Sequence, residues 1–440
     1  MRRTGRFIFT CLSALCMVSA HAQNRTDTVF ADATLPAVVQ YAITHQPAIQ
    51  QALLDEAITE KQIQARLADW YPQVNLAYNL QHNFELPVSY FNGAYVRNGT
   101  LNSSLLGLNV TQNIFNRDVL LASRTANDIR LQTRQNTSFN KIDVAVNVSK
   151  AFYDVLLTQQ QVAVLVQAIT RLERSLKDAM SQYQSGVADK TDYKRATIAL
   201  NNARSQRKQA DDLIVAKLSY LKQLMGLSDS ASLKLRYDTA YMESDAVLDT
   251  TAGIRYEDRI EYRILQTQQR LQEANVKYYK SSYVPTISAF GNYNMSFLSN
   301  DFAKTYNNGF GVSNIGITLG MPIFQGNKRV HQIRQAELQY KRVDWDIALL
   351  KSRVSTQYAQ ALAVYKGNLY NYHALKENVS LADDVYRTLD LQYKSGIKTY
   401  LDVIIAESDL RTTQLNYYNA LFQLLQSKLD VQRALGTIQY

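Results

Sequence analysis

Gln182-Tyr183-Gln184-Ser185-Gly186-Val187 returns 210 residues later as Gln392-Tyr393-Lys394-Ser395-Gly396-Ile397. At the same offset Ala126 pairs with Ala336, Val144 with Val354, Ala151 with Ala361, Asp192 with Asp402, Leu200 with Leu410 and Gly226 with Gly436. About a hundred residues thus hold one register without a gap. Two copies of a unit of roughly 200 residues explain this better than two or three unrelated domains.

Upstream of the first motif, residues 118 to 183 contain no proline and no glycine. Their apolar residues, Ala145, Val148, Phe152, Val155, Val162, Val166, Ile169, Leu172, Leu176, Ala179 and Tyr183, step mostly by three and four. That spacing predicts one helix with a heptad-like seam, about 100 Å long at 1.5 Å per residue. Ser185-Gly186 breaks it, because glycine enters the left-handed conformation after a helix at least cost. A return helix over 190–225 then folds back and stops at Gly226. The second copy repeats the plan with a long helix over 328–393 and a return helix over 399–435.

Before each long helix the period changes to two. Val74, Leu76, Tyr78 and Leu80 alternate with polar residues, as do Leu106, Leu108 and Val110, predicting a β-hairpin over 73–113 with a long connection. The second copy predicts a hairpin over 286–322 from Ile287, Ala289, Tyr293, Met295 and Phe297, then Ile315, Ile317, Leu319 and Met321. Helices over 35–45 and from Pro47 to Trp70 precede the first hairpin, and one over 256–283 precedes the second. The chain thus divides into a first repeat (23–226), a polar connector (227–255) and a second repeat (256–440). In each copy the short helix before the strands and the return helix together match the long helix in length and can stack end to end beside it.

The first 22 residues set the compartment. Arg2, Arg3 and Arg6 precede the apolar run from Phe7 to Val18, and Ala20-His21-Ala22 gives a small-x-small site. This is a secretory signal peptide, too short for a spanning helix. Cys11 and Cys16 both lie within it, so the mature chain is expected to have no disulfide and no thiol chemistry. Net charge falls from +10 to about +7 on its removal, with Lys and Arg scattered among acids, which argues against a nucleic-acid partner. His45, His82, His331 and His373 stand at no ligand spacing to one another. No nucleophile with a base and no phosphate loop is present, so no enzyme, no metal site and no cofactor is expected.

Four strands of about ten residues with one apolar face match the length that crosses an outer membrane at a tilt. Four strands cannot close, and open edges in lipid leave amides unpaired at several kcal/mol each. Other copies of the chain must complete the wall. A trimer, with twelve strands, is the smallest cyclic assembly with a lumen. A structural periplasmic coiled-coil protein whose strands only dock on the membrane is the alternative reading.

This combination resembles the TolC-like outer-membrane factor family across essentially the whole mature chain. The resemblance is carried by Tyr71-Pro72 and Val284-Pro285 entering the strands, Asn113-Ile114-Phe115 and Pro322-Ile323-Phe324-Gln325-Gly326 leaving them, and the two turn motifs in a 210-residue duplication. It implies a mainly α fold with β, a trimeric channel-tunnel of a 12-stranded outer-membrane barrel on a periplasmic α-barrel. It further implies the outer-membrane channel of a tripartite efflux or type I secretion system, with a periplasmic adaptor (membrane fusion protein), an inner-membrane pump and outer-membrane lipid as partners. Carried over by position, a periplasmic latch falls on Thr191 and Asp192 in the first repeat and on Tyr393 and Lys398 in the second. Lys398 stands where the best-known members have arginine, and lysine lacks the bidentate fork. Asp402 matches an acidic ring at the narrowest point, while the position of a second ring is Ile405, so three carboxylates rather than six would converge. Gly186, Val187, Gly396 and Ile397 match the turns that receive the adaptor.

Overall fold

The computed structural model describes residues 30–236, 239–251 and 253–439. The signal peptide expected at residues 1–22 lies outside the described residues. In the first repeat β1 (Phe30–Ala33), α1 (Leu35–His45) and α2 (Pro47–Leu67) lead into β2 (Gln73–His82). A small hairpin, β3 (Val88–Phe91) and β4 (Ala94–Arg97), precedes β5 (Asn102–Phe115), and α3 (Arg117–Gln184) and α4 (Lys190–Met225) follow. The connector holds β6 (Leu233–Leu235) and α5 (Thr239–Asp245). The second repeat comprises α6 (Ile260–Lys280), β7 (Thr286–Ser299), β8 (Gly309–Gly320), α7 (Lys328–Lys394) and α8 (Tyr400–Leu435).

The chemistry at the helix ends explains these boundaries. Pro47 opens α2 while the Gln46 side chain accepts from the amides of Ala48 and Ile49, and Asn116 caps α3 by accepting from Asp118 N. At the end of α4, Gly226 has φ +70° and abuts the start of α2. A Cβ there would sit 2.7 Å from His45 O and 2.9 Å from Gln46 Cα. The duplicated Gly436, φ +76°, closes α8 against α6 in the same way, 2.7 Å from Asp258 O. The short helices therefore stack end to end, α4 on α2 and α8 on α6, beside the long helices α3 and α7.

The strands form one antiparallel sheet in the order β2-β5-β7-β8, with β2 and β8 as its edges. Direct cross-strand partners share a face. One face carries Val74, Val110 and Ile315 in a row, and Leu76, Leu108 and Tyr293 in the next. The other carries Asn75, Asn109, Asn292 and Asn314 in register across all four strands. Gly316 lies under the Phe290 ring on that face, where a Cβ would meet the ring at 2.7 Å.

The connector is more structured than a polar linker. β6 pairs in parallel with β1, and Leu233, Met242 and Ala246 enter the main core with Val38, Val148, Phe152, Leu421 and Leu425. Its acids anchor it: Glu243 accepts from Lys376 at 2.8 Å and from Tyr417 at 2.7 Å, and Asp245 accepts from Lys428 at 2.7 Å. The Tyr365 hydroxyl donates to Ala246 O at 3.0 Å and accepts from Leu248 N at 2.9 Å. The seam of α3 departs from the expected phase. Val164, Leu165 and Ala168 are buried where Val162 and Val166 were expected, and Val166 is 40% exposed. Among the described residues no helix is long and apolar enough to cross a membrane.

Candidate gate at the helical tips and candidate pore wall

Both turn motifs fold identically. After α3, Gly186 has φ +76°, Gly186 N donates to Tyr183 O and Val187 N to Gln182 O; after α7, Gly396 has φ +75°, Gly396 N donates to Tyr393 O and Ile397 N to Gln392 O. These paired bonds satisfy the last carbonyls of each long helix. Val187 is 78% and Ile397 72% exposed, so each tip ends in an apolar side chain with nothing of its own chain over it.

The return helices start from caps built on Asp189, not singled out above, and on Asp402, which was. Asp189 accepts from Thr191 N at 2.6 Å and from the Thr191 hydroxyl at 2.5 Å. Thr399 and Asp402 form a reciprocal capping box, in which the Asp402 carboxylate accepts from Thr399 N at 3.0 Å and from its hydroxyl at 2.8 Å. These hydrogen bonds hold the Asp402 carboxyl below its ordinary range, with Lys398 adding a smaller electrostatic pull in the same direction. Asp189 is lowered likewise by Thr191. Thr191 is thus committed to its own cap, and Asp192 faces Arg195 of its own helix at 3.9 Å.

Tyr393 joins the two repeats. Its hydroxyl donates to Gln182 Oε1 at 2.8 Å rather than to Asp192, and its ring packs edge-on against Tyr400 at 5.8 Å. Burial, then the nearby Asp192 charge, raises the Tyr393 hydroxyl above its usual range. Tyr400 is buried with Ala179 and Ala196, so α3, α4, α7 and α8 meet around two tyrosines. Gln182 had a signal in the sequence: it repeats as Gln392 within the motif.

Two turns along α8 from Tyr400 lies a buried charge cluster that the sequence reading does not include. Glu407, 3% exposed, accepts from Arg171 of α3 at 3.2 Å and lies 3.7 Å from Arg411 of α8. Burial pushes the Glu407 carboxyl up, against the pull of Arg411 and Arg171. Its signal was a glutamate inside the apolar stripe of Tyr400, Val403, Ala406 and Leu410.

At the opposite end the sheet is built for two media. Its four strands contain no Asp, Glu, Lys or Arg. The asparagine row makes the second face a neutral, hydrogen-bonding wall, with Asn292 Nδ2 donating to Asn314 Oδ1 at 2.9 Å.

A duplicated chain that joins amphipathic, uncharged strands of membrane-crossing length to helical hairpins of about 100 Å defines an outer-membrane channel protein with a periplasmic extension. The chain belongs to the outer membrane efflux protein family, whose profile matches residues 38–227 and 263–437. It is 21% identical over 377 residues to outer membrane protein TolC of Vibrio cholerae, covering 83% of this chain and 82% of that one. It is 19% identical over 407 residues to the alkaline protease secretion protein AprF of Pseudomonas aeruginosa, covering 91% and 82%. Among solved structures it matches the outer membrane protein VceC of Vibrio cholerae with a TM-score of 0.74 at 14% identity, covering 92% of this chain and 97% of that one. It is an outer-membrane channel of the efflux-protein family, with its helical part in the periplasm.

Proposed function

We propose that three copies of this chain form one passive conduit, without catalysis, which receives cargo from an inner-membrane pump through a periplasmic adaptor. The observation that carries this reading is the four-stranded sheet with two unpaired edges and no charge on either face. Such edges are costly in lipid, and β8 of one copy beside β2 of the next removes them in antiparallel sense. The helices support the same closure. Their order is α2, α3, α6, α7, and the two outer members carry unpartnered apolar side chains, Leu54 and Ile58 on α2, Leu338, Trp345 and Leu349 on α7.

In this reading the tips are the gate. Tyr393 and Gln182 hold the two hairpins of one protomer together. Asp192, Lys398 and Asp402 sit beside them with exposure left for a neighbouring copy, and Thr191 fixes the start of α4. The exposed Val187 and Ile397 beyond Gly186 and Gly396 supply the apolar contact for the adaptor. The deciding experiment is the subunit mass in mild detergent combined with conductance in planar bilayers. A conducting trimer is expected; a lone, stably inserted protomer rejects the proposal.

A further inference from the structure

A cleft opens between α3 and α6 where the helices meet the sheet. Cations crowd this level. Within nine residues of the helix-side strand ends stand Arg66, Arg117, Arg124, Lys277, Lys280, Lys328 and Arg329, against only Asp69 and Asp118. The far end of the sheet shows no such bias: its loops carry Glu85 and Asp301 against Arg97 and Lys304. The excess belongs to this level of the molecule, so a neighbouring copy multiplies it rather than cancelling it.

Several of these charges are already used. Arg329 is buried, donating to Pro322 O at 2.7 Å and lying 4.3 Å over the Tyr283 ring. Lys277 pairs with Glu273 and Lys280 with Glu337. Arg117 and Arg124 are different. The Arg117 guanidinium lies 4.8 Å over the Tyr278 ring, whose hydroxyl donates to Asp118 at 2.5 Å. Among the described residues neither arginine is in an ion pair. Both line a cleft of about 430 Å³ with Leu120, Leu121 and Tyr278, and the two carboxylates in its wall, Asp128 and Glu273, are taken up by Arg270 and Lys277. Cations without an acidic partner, with Trp70, Tyr71 and Tyr283 at the neighbouring strand entries, suit a ligand with an anionic phosphate and an alkyl tail.

We propose that this cleft binds the phosphate of an anionic glycerophospholipid from the periplasmic leaflet, fixing the depth of the barrel in the membrane. The phosphate accepts from Arg117 and Arg124, and the acyl chains run from the strand end of the cleft into the leaflet.

The test reconstitutes the full mature chain into nanodiscs of equal parts dioleoyl-phosphatidylglycerol and dioleoyl-phosphatidylcholine and measures retained lipid by native mass spectrometry. The unaltered chain is expected to retain phosphatidylglycerol preferentially. Arg117→Ala and Arg124→Ala should each lower that retention roughly fivefold, while Lys208→Ala, on α4 and paired with Asp212, leaves it unchanged. Subunit mass and circular dichroism identify any variant that fails to fold, and Arg117→Lys, which keeps the charge, should retain most of the preference. Equal retention of the two lipids, or a preference that survives both alanine substitutions, overturns the proposal. So does a shift of the channel's reversal potential with lipid retention unchanged, which would turn the arginines toward the pore. A chain that never enters the nanodisc speaks against the outer-membrane placement instead.

Discussion

The Tyr393 hydroxyl on α7 reaches Gln182 Oε1 on α3 at 2.8 Å, so one hydrogen bond ties the tip of the second repeat to the tip of the first. Tyr393→Phe deletes that bond and keeps the ring on Tyr400. A partly buried hydrogen bond contributes about 1 kcal/mol, a factor of about five in the closed-to-open ratio. Single-channel recordings should show Tyr393→Phe and Gln182→Ala each raising open probability, with no further gain in the double variant. Independent, additive gains would mean that the two side chains do not act on each other.

The caps of α4 and α8 give the tips a pH dependence with a defined sign. Asp189 and Asp402 both have carboxyls lowered by hydrogen bonds from Thr191 and Thr399. A lowered carboxyl stabilises the fold above its unfolded value, and that stability is lost as pH falls through the folded one. Amide exchange over 189–193 and 399–403, corrected for its intrinsic pH dependence, should be flat at neutral pH and rise below about pH 4. Thr399→Ala should speed exchange in α8 at neutral pH already. Protection unchanged down to about pH 2 would remove these caps from any account of the gate.

The two repeat-equivalent pairs of glycines differ from each other in what surrounds them. Gly186 and Gly396 have open space around a notional Cβ, so alanine there meets only the left-handed backbone penalty, about 1–2 kcal/mol. Gly226 and Gly436 add backbone atoms at 2.7 Å, which have no rotamer to yield. Urea unfolding should rank Gly226→Ala and Gly436→Ala well below Gly186→Ala and Gly396→Ala. Equal losses in all four would place the cost in the backbone angle alone.

The duplication, the long helices and the strand faces were legible because each rests on many residues with one period. What escaped rests on few. Asn92-Gly93, at φ 51° and 85°, is a hairpin signal, but the polar stretch around it hides β3 and β4 within the long connection. The pairing of β1 with β6 joins four residues to three across about 200 positions, and no local pattern announces it. In α3 the expected seam took Val162 and Val166, although packing chose Val164, Leu165 and Ala168. A helix with partners on two flanks has two apolar stripes, and a single heptad count mixes them. At the helical tips, the resemblance points to Tyr393 and Asp402 but not to the residues they bond, because Gln182 and Thr399 carry no charge to mark them.

Glu407 allows burial to be weighed against attraction. Its carboxyl is raised by burial despite two arginines, so the ionised form is the costly one. The stability tied to its proton is present below the unfolded value and is lost as pH rises through the folded one. Glu407→Gln should therefore cost little at neutral pH and flatten this part of the pH profile. Arg171→Ala, which leaves an ionised carboxylate with one partner fewer, should cost about 3 kcal/mol, and Glu407→Gln should recover much of that loss. Thermal unfolding of the unaltered chain and the three variants of this cycle measures the coupling; a Glu407→Gln loss as large as that of Arg171→Ala would show that attraction wins.

Neighbouring residues of β2 separate the two faces of the sheet. Leu76 lies in the row of Leu108 and Tyr293, whereas Asn75 lies in the row of Asn109, Asn292 and Asn314. If the first row meets lipid, Leu76→Arg places a charge in hydrocarbon at about 2–4 kcal/mol per subunit, and three subunits multiply the loss. Asn75→Arg places the same charge in a water-filled lumen. It should leave assembly intact and move the reversal potential of the channel toward anions. Heat-resistant trimer on mild electrophoresis reads the first effect and bilayer recording the second. Neither substitution removes a backbone hydrogen bond, so a difference between the two variants reports the medium each side chain enters. Equal assembly losses would mean that neither face is solvated, and the lumen would have to be sought elsewhere.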